Sequence, residues 1–446
     1  MVHRLTKNLS RTQMIALGFL LIILTGTFLL MTPFASKSGR PTDFLSALFT
    51  ATSATCVTGL TVVNTFFHWS VFGQIVIICL IQIGGLGFIS FGFFFSILLR
   101  QRISLNQRGL LKESLNVENI SGMVKLSKVI LKGTLLIEGT GALILTVNFL
   151  PYMKLSTAVY NGIFHSISAF CNAGFDLFAR FGSSSVVNYN DNWGICFTLG
   201  MLILIGGIGF FVWYDIYLHK WHVRKYALHT KIVLMATLVI TVVSMILFLI
   251  MEKDHTFVGM TGPQKILNAF FCSTTPRTAG FNSIDIEAMS TDGKFLTILL
   301  MFIGGAPGST AGGIKLTTLV VLIVYLCSIL RRDANTHVFH RRIETNSVLQ
   351  STAVVFTNLS LSGLAILIIC MVQNTDLTKV MFEVVSAIST VGMTDGFTAS
   401  LATVSRVVII FLMYLGRLGS LSFALSFTDK KKKIQITYPI ENVNVG

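Results

Sequence analysis

Charge is what this chain has least of. Lys, Arg, Asp and Glu make up 12% of its 446 residues, about half the ~25% of a soluble domain. Hydrophobic residues make up 53%, and mean hydropathy is +0.74. A composition so poor in charge excludes a water-soluble globule and makes the bilayer the solvent. Paired cysteines are missing too. Cys56, Cys79, Cys171, Cys196, Cys272, Cys327 and Cys370 lie in or beside apolar segments without metal-ligand spacing. That pattern excludes a disulfide framework and a zinc site, and leaves small apolar filler. No Ser/His/Asp or paired-carboxylate arrangement points to a reaction, so the chain does not read as an enzyme. His337 and His340 have no further ligand cluster near them and read as a solvated loop. The net charge of +15 comes without a nucleic-acid module, so no nucleic-acid partner is expected.

Long apolar runs are abundant. Stretches of the ~20 residues that cross a bilayer occur near Met14 to Met31, Val71 to Leu99, Gly133 to Leu150, Trp193 to Leu218, Ile232 to Met251, Phe295 to Leu330, Leu349 to Met371 and Val404 to Phe427. The first follows Arg4, Lys7 and Arg11, as a signal peptide would. Its apolar run is longer than a signal core and no small-x-small site follows, so it reads as an uncleaved span. Lys and Arg concentrate in the N-terminal arm, the connections near 100–132, 219–231 and 331–342, and the tail at Lys430 to Lys433. The positive-inside rule then puts both termini in the cytoplasm and accounts for most of the excess charge.

The most informative pattern is a fourfold repeat. Gly59, Gly174, Gly280 and Gly392 recur about every 110 residues, each between two spans. Ten residues before each stands Phe49, Phe164, Phe270 or Phe382, and six before it Ser53, Ser168, Thr274 or Ser386. The repeats divide the chain at 1–110, 111–225, 226–342 and 343–446. Phe44 to Ser53, Val159 to Ser168, Ile266 to Thr274 and Val380 to Ser386 are too short to cross and read as re-entrant helices. Non-helical backbone survives at membrane depth only when buried in protein or lining water. The strands Cys56-Val57-Thr58-Gly59, Cys171-Asn172-Ala173-Gly174, Arg277-Thr278-Ala279-Gly280 and Ser389-Thr390-Val391-Gly392 should therefore line an aqueous path. Their carbonyls can replace the hydration shell of a monovalent cation, with glycine supplying the dihedrals that aim them.

The second span of each repeat carries small residues at equivalent places: Gly84-Gly85-Leu86-Gly87, Gly206-Gly207-Ile208-Gly209, Gly304-Gly305-Ala306-Pro307 and Gly416-Arg417-Leu418-Gly419. The first two read as close helix packing. The third continues as Gly308, Ser309, Thr310, Ala311, Gly312 and Gly313, too many helix breakers for a continuous helix, so a break facing a cavity or protein is expected there.

These features together resemble the Trk/Ktr/HKT superfamily of potassium transporters, most closely the membrane subunits of bacterial Ktr systems, the KtrB proteins. The resemblance rests on the four glycines, the run Thr275 to Asn282, the broken third-repeat span and Arg417, and covers Met14 to about Phe427. It implies an all-α polytopic fold of four M1–P–M2 units, eight transmembrane and four re-entrant helices around a pseudo-fourfold pore. It also implies a homodimer in the bacterial plasma membrane, in contact with lipid, and a cytosolic KtrA-type ring that carries the regulatory nucleotide. Gly304 to Gly313 would be an intramembrane gating loop, with Arg417 part of the barrier. No cofactor is implied beyond K+ as permeant ion, bound at the filter. In this superfamily a serine in place of the first-repeat glycine goes with sodium preference, so Gly59 favours potassium, while sodium coupling stays open.

Two further cations lie near the path. Arg277 facing the pore would repel potassium, so its side chain is expected to turn back toward a carboxylate, Glu383 or Asp395. Lys315 belongs either to the gate or to the inner end of its span. The sequence around Gly304 to Lys315 lacks the spacing and βαβ context of a phosphate-binding loop. A cation/solute symporter with discontinuous helices is the rival reading, although its repeats are usually larger and inverted.

Overall fold

Among the described residues four helices are long and apolar enough to cross a membrane unaided, and each opens one repeat. In the computed structural model, which describes residues 11–87, 123–181, 185–333 and 335–419, the first repeat contains α1 (Arg11–Leu30), α2 (Phe44–Thr55), the short α3 (Thr65–His68) and α4 (Val71–Leu86). The second contains α5 (Met123–Phe149), α6 (Leu155–Phe170), α7 (Trp193–Gly207) and α8 (Phe210–His219). The third contains α9 (Leu228–Met251), α10 (Gly262–Thr274), α11 (Thr291–Phe302), α12 (Leu316–Leu330) and a small antiparallel hairpin, β1 (His337–Val338) with β2 (Arg341–Arg342). The fourth contains α13 (Thr345–Val372), α14 (Leu377–Ile388) and α15 (Thr403–Leu418). The fold is all-α and polytopic, with a re-entrant helix in every repeat.

The long first spans α1, α5, α9 and α13 turn apolar side chains outward. Leu21 and Phe28, Leu135 and Leu143, Leu238 and Ile250, and Phe356 and Met371 are among the exposed ones. Such faces are stable against lipid and unstable against water, so the chain is an integral membrane protein. The re-entrant helices α2, α6, α10 and α14 pack inside this wall. Their starts are fixed by local chemistry. Asp43 Oδ2 accepts from the Ser46 N–H at 2.9 Å, and Asp376 Oδ1 from that of Thr378 at 3.1 Å.

The second spans differ from expectation. Continuous helices were expected in the first two repeats, yet α4 ends at Leu86 with Gly87 at φ +79°, and α7 and α8 meet at a 90° bend at Gly209, φ +93°. In the third repeat α11 and α12 are separated by Ile303 to Lys315, and in the fourth α15 stops at Gly419, φ +86°. Among the described residues each second-span helix thus stops at its glycine cluster, and at Gly87, Gly209 and Gly419 the left-handed backbone cannot continue an α-helix. The remainder of the first and fourth second spans, the connection near 100–132 and the tail with Lys430 to Lys433 lie outside the described residues.

Close packing, the reading given to the first two clusters, is also present. A Cβ on Gly84 would run into the Thr55 carbonyl, one on Gly206 into that of Phe170, and one on Gly416 into that of Ile388. In these three repeats the second-span glycine rests on the last turn of its own re-entrant helix. In the third repeat the matching Gly304 rests instead on Gly312 of its own loop. The core lies around these helix ends, with Trp69, Phe49, Phe170, Phe271 and Phe382 fully buried.

Candidate functional site

Each re-entrant helix ends in the same backbone turn. Two residues before the repeat glycine, Val57, Asn172, Thr278 and Thr390 take φ of +57°, +59°, +74° and +52°, and Gly59, Gly174, Gly280 and Gly392 take +99°, +68°, +79° and +91°. Left-handed residues alternating with ordinary ones turn successive carbonyls to one side. The turn is held from behind. The Thr58, Ala173 and Val391 N–H groups donate to the Ser53, Ser168 and Ser386 carbonyls, each at 2.8 Å. The third repeat departs by one residue, with the Ala279 N–H donating to the Thr275 carbonyl at 3.0 Å.

The hydroxyls clamp the turn in two ways. In repeats one and four Ser53 and Ser386 Oγ accept from the Gly59 and Gly392 N–H groups, both at 3.0 Å. In repeat two Ser168 Oγ donates to the Phe175 carbonyl at 2.8 Å, and in repeat three Thr275 Oγ1 donates to that of Phe281 at 2.5 Å. The hydroxyl aligned from sequence, Thr274, instead donates to Phe271 within its own helix. The neighbouring threonine takes over because the third turn is one residue tighter.

The four turns close a ring. A Cβ on Gly59 would stand 2.5 Å from the Ala173 carbonyl oxygen, one on Gly174 2.6 Å from that of Ala279, and one on Gly280 2.6 Å from that of Val391. A Cβ on Gly392 would run into the Thr58 carbonyl and close the circle. The strands from Cys56, Cys171, Arg277 and Ser389 onward are therefore brought to one axis. Asn172 and Thr278 join neighbouring strands through a 3.3 Å side-chain contact. The Thr58 and Thr390 hydroxyls are buried without a protein partner among the described residues. Carbonyls grouped around one axis suit a dehydrated monovalent cation.

Beneath the ring, Gly304 to Gly313 folds as a loop that touches the second and fourth repeats as well as its own. Its ends meet where the Gly304 N–H donates to the Ile314 carbonyl at 2.8 Å, and Leu316 N–H to that of Gly305 at 3.0 Å. The Ala306 N–H donates to the Gly207 carbonyl at 2.9 Å, and the Gly308 carbonyl accepts from Phe210 N–H at 2.8 Å. The break in the second repeat, which the sequence reading took for packing alone, thus frees the backbone groups that hold the loop. Pro307 lies against Gly209, and Ala311 and Ser309 lie against Gly305. Thr310 Oγ1 donates to the Phe170 carbonyl at 3.2 Å. Gly312 and Gly313 abut Thr390 and Ser389 of the fourth strand.

Arg417 crosses this level. Its guanidinium donates to the Thr310 carbonyl of the loop and to the Gly84 carbonyl of the first repeat, with a further bond to Gly85 at 3.1 Å. Lys315 Nζ donates to the Ala311 carbonyl at 2.8 Å, which ties it to the loop. Gly84 and Gly85 were missed as partners of Arg417, although their repeated pairing was the available signal.

Arg277 is a correction. It pairs with neither Glu383 nor Asp395. Glu383 accepts from the Thr394 and Thr398 hydroxyls at 2.8 and 2.5 Å, and Asp395 is bound to Lys294 at 2.9 Å. Arg277 instead reaches the Thr241 and Thr237 hydroxyls of α9 at 3.5 and 3.4 Å. Both carboxylates are already occupied by nearer donors. The sequence reading also passed over Glu138, a buried carboxylate that accepts from Gln82 at 3.1 Å, though a polar pair inside spans is a readable signal.

The family description "TrkH: Cation transport protein" matches residues 6–435. This chain belongs to that family. As a TrkH-family protein it is an ion transporter and not an enzyme. It is 42% identical to the potassium/sodium uptake protein NtpJ of Enterococcus hirae, over 100% of this chain and 99% of that one. It is 38% identical to the Ktr system potassium uptake protein B of Bacillus subtilis, over 97% and 96% of the two. The crystal structure of the potassium transporter TrkH from Vibrio parahaemolyticus shares the fold, with a TM-score of 0.72 at 18% identity over 95% of this chain and 86% of that one.

Proposed function

We propose that this TrkH-family chain takes up K+ across the bacterial plasma membrane through the glycine ring, and that the Gly304 to Gly313 loop with Arg417 gates the path. The observation that carries the reading is the closed circuit of carbonyls and glycines from all four repeats, a geometry suited to a dehydrated monovalent cation. Glycine at all four ring positions favours K+. In this reading the ring side faces outward and both termini lie in the cytoplasm, where most basic residues fall. A homodimer and a cytosolic nucleotide-binding partner belong to the same reading, supported by relatives named as Ktr system proteins. The relative named for potassium/sodium uptake makes sodium the second ion to test.

The symporter alternative shares the broken spans, but repeats of two spans and one re-entrant helix, all running the same way, favour a single central pore. Potassium uptake in a transport-deficient strain, with and without sodium and the partner, tests the proposal. Uptake down the potassium gradient without organic solute is expected. An absolute need for such a solute would replace the pore with a symporter.

A further inference from the structure

The four re-entrant helices end alike in shape but not in charge. Aligned peptide dipoles leave roughly half a negative charge at each C-terminus, and all four ends converge on the ring. None has a basic residue in its last turn. Three residues before the ring glycine, three repeats place the uncharged Cys56, Cys171 and Ser389, and the third repeat places Arg277.

Arg277 is only 5% exposed. Its Nη atoms have the Thr237 and Thr241 hydroxyls at hydrogen-bond limits, and its Nε has no partner among the described residues. Among the described residues no carboxylate lies within ion-pair distance of it. A guanidinium does not give up its proton, and a charge held this dry is screened weakly. Its backbone is fixed to the end of α10, where the Arg277 main-chain N–H donates to the Thr274 carbonyl at 3.2 Å.

We infer that Arg277 sets how loosely the ring holds its cation, by cancelling the negative end of one re-entrant helix out of four. Conduction needs binding favourable enough to admit the ion and weak enough to release it. The helix ends supply the attraction, and the buried guanidinium limits it at the third. This rests on the K+ uptake reading above and goes beyond it by assigning Arg277 a role in ion affinity.

The test is the concentration dependence of rubidium uptake, as a potassium surrogate, into proteoliposomes. A unit charge about 10 Å from the ion at an effective dielectric of ~20 changes binding by about tenfold. Arg277→Gln is therefore expected to lower the half-saturating concentration about tenfold and to lower the maximal rate. Arg277→Lys, which keeps the charge, should stay near the parent protein. Thr237→Glu, which sets a carboxylate against the guanidinium, should reproduce Arg277→Gln without removing the arginine. Unchanged or raised half-saturation in a folded Arg277→Gln or Thr237→Glu protein overturns the inference. So does Arg277→Lys behaving like Arg277→Gln, or failure of both charge-altering variants to fold, since either makes the guanidinium structural. If the parent protein moves no rubidium, the uptake proposal itself fails.

Discussion

At the residue scale, what matters is which positions tolerate a side chain. Gly59 combines φ +99° with a neighbouring carbonyl 2.5 Å from where a Cβ would stand. Gly59→Ser should push the Ala173 carbonyl off the axis and reduce discrimination of K+ against Na+ by about tenfold, equivalent to ~1.4 kcal/mol. Competition of sodium with rubidium uptake measures it, and an unchanged ratio would take Gly59 out of the ring. His68 offers a second test away from the spans. Burial pushes its imidazole below the usual 6.5, with Asp43 opposing, and Nε2 meets Thr42 Oγ1 at 2.9 Å. A depressed histidine favours the neutral folded form, so its contribution is complete above pH 6.5 and lost as pH falls through the folded value. The Lys37 amide, which donates to the His68 carbonyl at 2.9 Å, should lose hydrogen-exchange protection as the pH falls below 6.5. His68→Gln should remove that pH dependence.

At the element scale, a helix stop at the glycine cluster recurs in all four second spans. The interruption leaves backbone donors and acceptors unpaired at membrane depth, a cost that protein contacts must offset. In the second repeat the freed groups hold the loop through Ala306 and Gly308, and in the first the Gly84 and Gly85 carbonyls hold Arg417. Shortening Gly304 to Gly313 by several residues, or Arg417→Ala, should raise potassium flux and weaken any dependence on the proposed cytosolic partner, with ion preference largely kept. A folded, well-expressed deletion with reduced flux would make the loop a scaffold. Gly206→Val is a packing control. Its side chain would meet the Phe170 carbonyl, and overpacking costs about 1–3 kcal/mol, seen as a lower unfolding temperature in detergent.

At the scale of the whole molecule, four unlike repeats build one axis, so the contributions of ring, loop and charge are unequal. The loop comes from the third repeat, its tether from the fourth, and the carbonyls that receive loop and tether from the second and first. Regulation from the cytosol would act on this shared level. Deleting the tail after Asp429 should disturb assembly with the partner or its nucleotide response more than ion selectivity. Co-purification with the partner, measured beside ion competition, separates the two effects, and an intact partner response in the truncated protein would exclude the tail.

The sequence alone determined the solvent, the number of repeats, the short re-entrant helices and the positions of the four glycines. Those follow from local hydropathy, from lengths set by bilayer thickness and from a backbone need that only glycine meets cheaply. The third-span break was legible for the same reason, since ten small or helix-breaking residues cannot hide. Tertiary structure decided the rest. The helices stop at Gly87 and Gly209 where the loop and Arg417 take up the carbonyls nearby, a demand made by residues about one hundred to over three hundred positions away. Arg277 turned to two threonines because Glu383 and Asp395 were already taken by nearer donors. Thr275 replaced Thr274 because one turn is a residue tighter. Pairing among polar groups is a competition in three dimensions, and its outcome depends on distances that sequence spacing does not carry.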